Sequence, residues 1–432
     1  MTSETGRAVR FAALRNRHFR PYLFTAGTSM MGDNIEHVIT YWVLWQTFHS
    51  PALTGFEIIS HWLPSLLFSV TFGGLAQRFD CRRLIQIAQL LFMSVSLSWG
   101  ILFATHCLSI WAACILLVLH GCAGSLWGPA EQFLLHDFAE PANLPGAIRM
   151  NATFRSLGIL AGPAVGSILL LGLGPVAGIF ANVAFYLPMT WLMVRTPFTG
   201  HTRDTVSASG QVHPAPAIPM PGAALIGAFR TFRTVPLPRA IIAMMALAGV
   251  TALFVGGSLQ VSMPSFAVSL GAGGAGLAYG ALLLASGTGG VVGGFVLEAV
   301  GAVKLTAGIA VAGTLFYGGC ILLFATTHHY LVAIAALVFA GVGSIASQSV
   351  SQSIVQLNAP AAERGRTIGL YNTVANGLRT GSGLTVAALG AAVGIQGSLA
   401  LSAMIMTVAT LIIGIQLWGS HHHHGPDPSP QR

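Results

Sequence analysis

The chain has 432 residues, with 20 Lys or Arg, 12 Asp or Glu and a formal net charge of +8. Only 7% of it is charged and 54% is hydrophobic, against the ~25% charge of an ordinary soluble domain. Such a chain cannot cover a soluble surface or remain disordered. Its basic residues are too few and scattered to track a nucleic-acid backbone, which leaves an integral membrane protein.

A bilayer core takes ~20 mostly apolar residues per helix. Twelve stretches meet that length: 21–47, 53–76, 84–104, 109–128, 147–171, 175–194, 239–266, 276–299, 304–325, 330–353, 367–393 and 398–418. They are continuously apolar, not alternating as barrel strands would be. The expected fold class is therefore all-α integral membrane, with twelve transmembrane helices. The basic leader runs into span 1 with no small-residue cleavage site, so it does not read as a cleavable signal peptide.

Arg7, Arg10, Arg15, Arg17 and Arg20 precede span 1, and Arg78, Arg82 and Arg83 lie between spans 2 and 3. Arg149 lies near the 4–5 connection, and Arg195, Arg203, Arg230, Arg233 and Arg239 flank the 6–7 connection. Lys304 follows span 8, Arg364 and Arg366 follow span 10, and Arg432 ends the chain. With twelve spans all fall on one side, which the positive-inside rule makes the cytoplasm. Both termini are expected there.

In span 1, Asp33, Glu36, His37 and Thr40 stand at i, i+3, i+4 and i+7 and share one helical face. An acid at the centre of a membrane helix costs roughly 2.5–3.5 kcal/mol on insertion scales, so this face should line the bundle interior or a wet cavity. Asp33, Glu36 and His37 are candidates for proton coupling; a structural hydrogen-bond network is the alternative. Asn34 points elsewhere. In span 4, His120 is either a packing histidine or a proton relay. Cys81, Cys107, Cys114, Cys122 and Cys320 have no paired spacing. They read as small packing residues, and neither a disulfide nor a metal site is expected.

Span 5 carries the run Gly158-x-x-x-Gly162-Pro163-x-x-Gly166. It strips side chains from one helix face and permits close approach of a neighbour, with a possible kink at Pro163. Arg155 lies in the same span and Arg379 in span 11. Each needs a partner in a membrane. For Arg155 the first choice is Asp33 or Glu36, a pair that would break when the acid is protonated, which makes Arg155 a proton-coupling candidate as well; alternatively Arg155 or Arg379 holds an anionic substrate.

Residues 196–238, with seven prolines among Ser and Gly, form a linker, in which Ala223–Phe232 suggests a short surface helix. The expected division is a six-helix bundle over 1–195, a cytoplasmic linker over 196–238, a second bundle over 239–420 and a cytoplasmic tail over 421–432. At an offset of 219, Pro141, Gly146, Gly158 and Gly162 fall on Pro360, Gly365, Gly377 and Gly381, and Gly73-Gly74 recurs as Gly293-Gly294. Such a parallel repeat predicts a pseudo-two-fold pair of bundles with a substrate cavity near the midplane. In span 10, Ser344, Gln348, Ser351 and Gln352 share a face and are substrate-cavity candidates, together with Thr40, His120 and Arg379. Simple helix–helix adhesion is the alternative for that stripe. The tract His421–His424 is expected to have no specific role. No phosphate-binding Gly-x-x-x-x-Gly-Lys-Ser/Thr loop occurs, which disfavours ATP-driven transport. No zinc-helix motif or Ser/His/Asp set suggests an enzyme, and no cofactor is expected.

After span 2 the chain reads Gly73-Gly74-Leu75-Ala76-Gln77-Arg78-Phe79-Asp80-Cys81-Arg82-Arg83. This resembles the Gly-x-x-x-Asp-Arg-x-Gly-Arg-Arg signature of the major facilitator superfamily, with Gln77 for the usual acid and Cys81 for an Arg. The Gly158–Gly166 run resembles that superfamily's antiporter motif, and Glu363-Arg364-Gly365-Arg366 looks like the counterpart loop of the second half. The opening Leu14-Arg15-Asn16-Arg17-His18-Phe19-Arg20, followed by Gly32-Asp33, resembles the drug:proton antiporter branch, which includes bacterial siderophore exporters and macrolide efflux proteins.

The resemblance implies a gating role for Gly73, Gln77, Arg78, Asp80, Arg82 and Arg83, with a latch weakened by Gln77 unless Asp80 replaces the acid. It makes spans 1, 4, 7 and 10 cavity-lining and makes His120 a departure from the usual span-4 Arg. It implies a transporter in a bacterial cytoplasmic (inner) membrane that exchanges protons for a siderophore or amphiphilic drug. A functional monomer in contact with membrane lipids is expected, although the sequence carries no sign of oligomerisation either way. Gly32-Asp33-Asn34 also matches relatives that move lysophospholipid. An uncoupled facilitator and a transporter-like sensor or scaffold without flux are further alternatives.

Overall fold

The computed structural model describes residues 17–138, 144–201, 222–234, 236–271, 275–299, 306–359 and 364–422. The leader arginines 7, 10 and 15, linker residues 202–221, Lys304, Glu363 and the chain beyond residue 422 lie outside the described residues. So do the side chains of Arg149, Arg364, Arg366, His421 and His422.

Among the described residues every regular element is a helix. In order these are α1 (Phe19–Phe48), α2 (Pro51–Arg78), α3 (Cys81–Ala104), α4 (Ile110–Phe138), α5 (Leu144–Arg195) and α6 (Ala223–Thr234). Then come α7 (Arg239–Phe254), α8 (Ser258–Ser269), α9 (Ala275–Ala299), α10 (Ala307–Thr326) and α11 (Tyr330–Asn358). Last are α12 (Arg364–Asn372), a π-helical turn (Thr373–Gly377) and α13 (Arg379–His422). Helix is the physical outcome because a lipid-exposed backbone must satisfy its own hydrogen bonds. The outward surface fits that solvent: Trp111, Leu331 and Ile415 are at least 70% exposed, and Phe24, Leu157 and Leu384 are exposed too.

Eight helices are long and apolar enough to cross a bilayer among the described residues, or nine if the bent pair Pro51–Phe68 and Thr71–Arg78 is one span. Two of the eight, Thr153–Arg195 and Gly369–Trp418, each merge two of the twelve expected spans. The helix α1, with its Asp, Glu and His, is not among them. The merged helices break at Gly174 (φ 76°, ψ 171°) and Gly394 (φ 78°, ψ 165°), 220 residues apart. Only glycine takes that backbone geometry readily. The break in α5 therefore falls at Gly174.

The chain forms two compact units, Met1–Thr47 with Leu63–Ala224 and Phe48–Trp62 with Leu225–Arg432. The sequence boundaries kept all of span 2 in the first bundle. Its first half instead packs in the second unit, where Gly55 meets the backbone of Gly383 and Gly257 lies against Ile58. The first unit's core is aromatic: Phe92 stacks on Tyr186 at 5.2 Å, and Tyr22 packs on Phe138 at 4.9 Å. The second unit's core joins Ile241, Met244 and Leu247 of α7 to Val350, Ile354 and Tyr371.

The Gly158–Gly166 run faces α1. A Cβ at Gly158 would strike the carbonyl of Gly27, one at Gly162 would strike Asn34 Cβ, and one at Gly166 would come within 3.1 Å of Val38 Cβ. The repeat places Gly381 likewise, against Leu253 of α7. Gly162→Ala is therefore expected to destabilise by about 1–3 kcal/mol through overpacking. Gly172→Ala, with nothing within 4 Å of its Cβ, should be neutral or slightly stabilising. Thermal unfolding of the purified pair in detergent checks the contrast.

Candidate functional site

Asp33 and Glu36 lie one turn apart on α1, and both face His120 of α4. His120 Nε2 is 2.8 Å from Asp33 Oδ1, and its Nδ1 is 2.8 Å from Glu36 Oε1. Glu36 also accepts the Ser96 hydroxyl of α3, which in turn accepts from Asn182 Nδ2 of α5 at 3.3 Å. Four helices thus meet at one carboxylate. Glu36 and His120 are buried, and the Asp33 side chain is 13% exposed. His37 packs beside His120 at 4.8 Å between ring centroids and stacks on Tyr41. Thr40 donates to the backbone carbonyl of Glu36 at 2.8 Å, so its hydroxyl serves its own helix.

Two ring nitrogens between two carboxyl groups imply a proton count. A neutral imidazole has one N–H and therefore donates to one partner only. Two simultaneous bonds require two protons shared by the three side chains. Remove one, and a bare ring nitrogen faces a carboxylate. Add one, and a carboxylic O–H faces an N–H. Either change opens a charge-assisted bond, a type that contributes about 1.5–3 kcal/mol.

A second charged cluster joins the same helices nearer their other ends. Arg155 Nη1 of α5 lies 2.5 Å from Glu131 Oε2 of α4, and Tyr22 of α1 donates to Glu131 Oε1 at 3.0 Å. The guanidinium sits 4.7 Å above the Trp127 ring. Neither Asp33 nor Glu36 is the partner of Arg155, contrary to the sequence expectation. The reason is register. Both pairs, 33 with 120 and 22 with 131, fit one antiparallel alignment of α1 on α4, and the two clusters lie eleven residues apart on each helix, about 16 Å along the axis. Arg155 is held at the Glu131 level.

Glu131 was missed because the apolar stretch ends at residue 128, whereas the helix runs on to Phe138. An Arg in span 5 with no acid in its own span was the available signal. Glu57, also buried, passed unremarked inside span 2.

The Gly73–Arg83 segment lies within the first unit. Asp80 caps α3 by accepting the Arg82 N–H at 2.9 Å and grips the Arg82 guanidinium at 2.7 Å. Arg82 also donates to the Thr196 carbonyl, while Gly200 N–H donates to Asp137. Asp80 is thus engaged locally by Arg82. Burial alone would raise its carboxyl pKa, but the Arg82 hydrogen bonds outweigh that and hold it below the usual carboxylate range. Buried Cys81, in place of an Arg, leaves room for Gly200, whose Cβ would fall 2.6 Å from its sulfur. Gln77, Arg78 and Arg83 are exposed, and nothing lies within 4 Å of a Cβ at Gly73.

The polar residues of α11 divide. Gln348 and Gln352 are exposed, Gln348 donates to Ser344 at 2.7 Å, and Ser351 is fully buried. They do not form one open stripe. Arg379 lies 4.8 Å above the ring of Trp62.

Glu131 is 3% exposed and Arg155 26%, so the buried acid is the worse survivor. Arg155→Gln should lower stability by about 1–3 kcal/mol, and more than Glu131→Gln, as read by thermal unfolding. Asp80→Ala should cost about 1 kcal/mol. Because the folded carboxyl pKa is depressed, that contribution is present above the unfolded value near 4 and is lost as pH falls through the lower folded value. Hydrogen exchange at the start of α3 in wild type and Asp80→Ala, across that range, checks the sign.

Comparison with known proteins places this geometry. A bacterial homologue of the human lysosomal transporter Spinster, in an inward-facing, unoccupied conformation, superposes with a TM-score of 0.67 at 14% identity, covering 96% of this chain and 99% of that one. The nucleoside transporter NupG gives 0.64 at 12% identity over 93% and 99%. A POT family transporter in complex with 5-aminolevulinic acid gives 0.65 at 12% over 95% and 97%. At these identities the likeness establishes the fold, that of the major facilitator transporters. No curated protein sequence matches the chain. The transmembrane secretion effector family matches residues 8–418. With nearly its whole length matched, the chain belongs to the transmembrane secretion effector family and is a multi-pass membrane transporter.

Proposed function

We propose that this transporter exports a siderophore or an amphiphilic drug-like molecule in exchange for protons across a bacterial cytoplasmic membrane. It works as a monomer by alternating access of two six-helix halves, with twelve spans and both termini in the cytoplasm. The observation that carries the proposal is His120 held between Asp33 and Glu36 at 2.8 Å on each side. Asp33 is the more exposed carboxyl of the three-membered set and is the entry for the proton. Glu36, tied to Ser96 and Asn182, is the anchor.

A proton gained or lost opens one bond between α1 and α4. A bias of about 1.5–3 kcal/mol shifts a two-state equilibrium some tenfold to a hundredfold. That is sufficient to couple occupancy to conformation when substrate prefers the other state. The one-sided distribution of basic residues supports the orientation, and membership in a secretion effector family supports export. The Gly158–Gly166 seam on α1 supports a tight helix contact beside the proton site.

The test is substrate-driven proton movement in proteoliposomes, screened over siderophores, drugs and lysophospholipids. Asp33→Asn, Glu36→Gln and His120→Asn should each reduce coupled flux by about tenfold or more, the equivalent of one lost bond. Wild-type coupling in the Asp33→Asn, Glu36→Gln double variant would overturn the mechanism. Best activity with lysophospholipid would redirect the substrate, in keeping with Gly32-Asp33-Asn34.

A further inference from the structure

Arg379 is a charged side chain with no carboxylate partner among the described residues. Arg379 begins α13, directly after the π-helical turn Thr373–Gly377, an irregularity that recurs at functional sites. Its stem rests on the break between α7 and α8, where a Cβ at Gly256 would lie 2.9 Å from Arg379 Cγ. Ser382 locks that corner: its hydroxyl accepts from Gly257 N–H at 3.1 Å and donates to the Arg379 carbonyl at 2.7 Å. The guanidinium lies over Trp62, with Tyr317 and Tyr371 as its electrostatic neighbours. All these residues belong to the second unit.

Among the described residues no carboxylate pairs with this guanidinium. That includes Glu57, the buried acid of the same unit. Arg379 Nε is sealed from solvent and has no hydrogen-bond partner, while the residue as a whole is half-buried. Its open edge is therefore the pair of terminal nitrogens. A guanidinium does not discharge by losing its proton, and an uncompensated one is costly at membrane depth. Trp62 offsets part of that cost through its π face but leaves the N–H fork vacant. A fork of this kind matches the two oxygens of a carboxylate or phosphate.

We infer that Arg379 is the oxyanion-binding centre of the transporter and takes the carboxylate or phosphate of an amphiphilic organic anion whose apolar body lies against Trp62. This deepens the transport reading and rests on it. The occupant is a solute, not the headgroup of a membrane phospholipid.

The probe is 2-naphthoate, with 2-naphthylmethanol as its uncharged analogue, measured by calorimetry on the full chain in phosphatidylcholine nanodiscs. Naphthoate should bind about tenfold tighter than the alcohol or more. Arg379→Gln should bring it down to the level of the alcohol. Arg379→Lys keeps the charge without the fork and should fall between. Arg230→Gln, on the surface helix α6, should bind as wild type. Thermal unfolding of the two Arg379 variants establishes that they fold, and Arg379→Lys carries the test if the Gln variant does not. Equal binding of acid and alcohol, or undiminished naphthoate binding in the folded Arg379 variants, overturns the inference. A loss of naphthoate binding in phosphatidylglycerol discs would assign the site to lipid headgroups and overturn the solute reading. Naphthoate binding is read with no proton gradient and coupled flux is read with one, so failure of the proton mechanism and failure of this site are told apart.

Discussion

Asp33 and Glu36 stand one turn apart on an apolar helix, and the imidazole of His120 is inserted between them. Most of the first unit's polar architecture depends on that constraint. Two acids on one face of a membrane helix repel each other and lack water; a ring from a neighbouring helix that hydrogen-bonds to both relieves both. The arrangement fixes α1 against α4, recruits Ser96 and Asn182 to the remaining oxygen of Glu36, and demands the close α1–α5 contact that the small residues at 158, 162 and 166 allow. The site is thus made by packing as much as by charge.

The two units share backbone and differ in chemistry. The positive-φ breaks at Gly174 and Gly394 and the close contacts at Gly162 and Gly381 recur at nearly the same offset. The ionisable groups do not recur. The first unit sets Asp33 and Glu36 against His120 and Glu131 against Arg155, while the second holds Arg379 over an aromatic ring. A duplicated scaffold has been given different electrostatic tasks in its two copies.

The all-helical membrane fold was legible in composition, since apolar content and one-sided arginines are averages over many residues. The face shared by Asp33, Glu36 and His37 was legible because three-residue spacing on a helix is local geometry. The partner of Arg155 was not. Hydropathy ended span 4 three residues before Glu131, and nothing in periodicity reports the register between helices distant in sequence. The role of His120 was left between packing and relay for the same reason: its environment is made by another helix. The serine and glutamine stripe of α11 shared a face on a helical wheel, yet neighbouring helices cover Ser351 and leave Gln352 open. Thr40, on the acidic face by spacing, turned to its own backbone, an outcome common for hydroxyls in helices.

The antiparallel register of α1 and α4 also has a mechanical meaning. Tyr22 to Asp33 and His120 to Glu131 are both eleven-residue steps, close to three turns of helix. Two polar teeth on one rod mesh with two on the other at the same phase. A slip by one turn would disengage both at once and offer neither a new partner, so the seam resists sliding far more than it resists tilting. The four-helix core around it is therefore a stiff unit, pinned at two levels along the same seam.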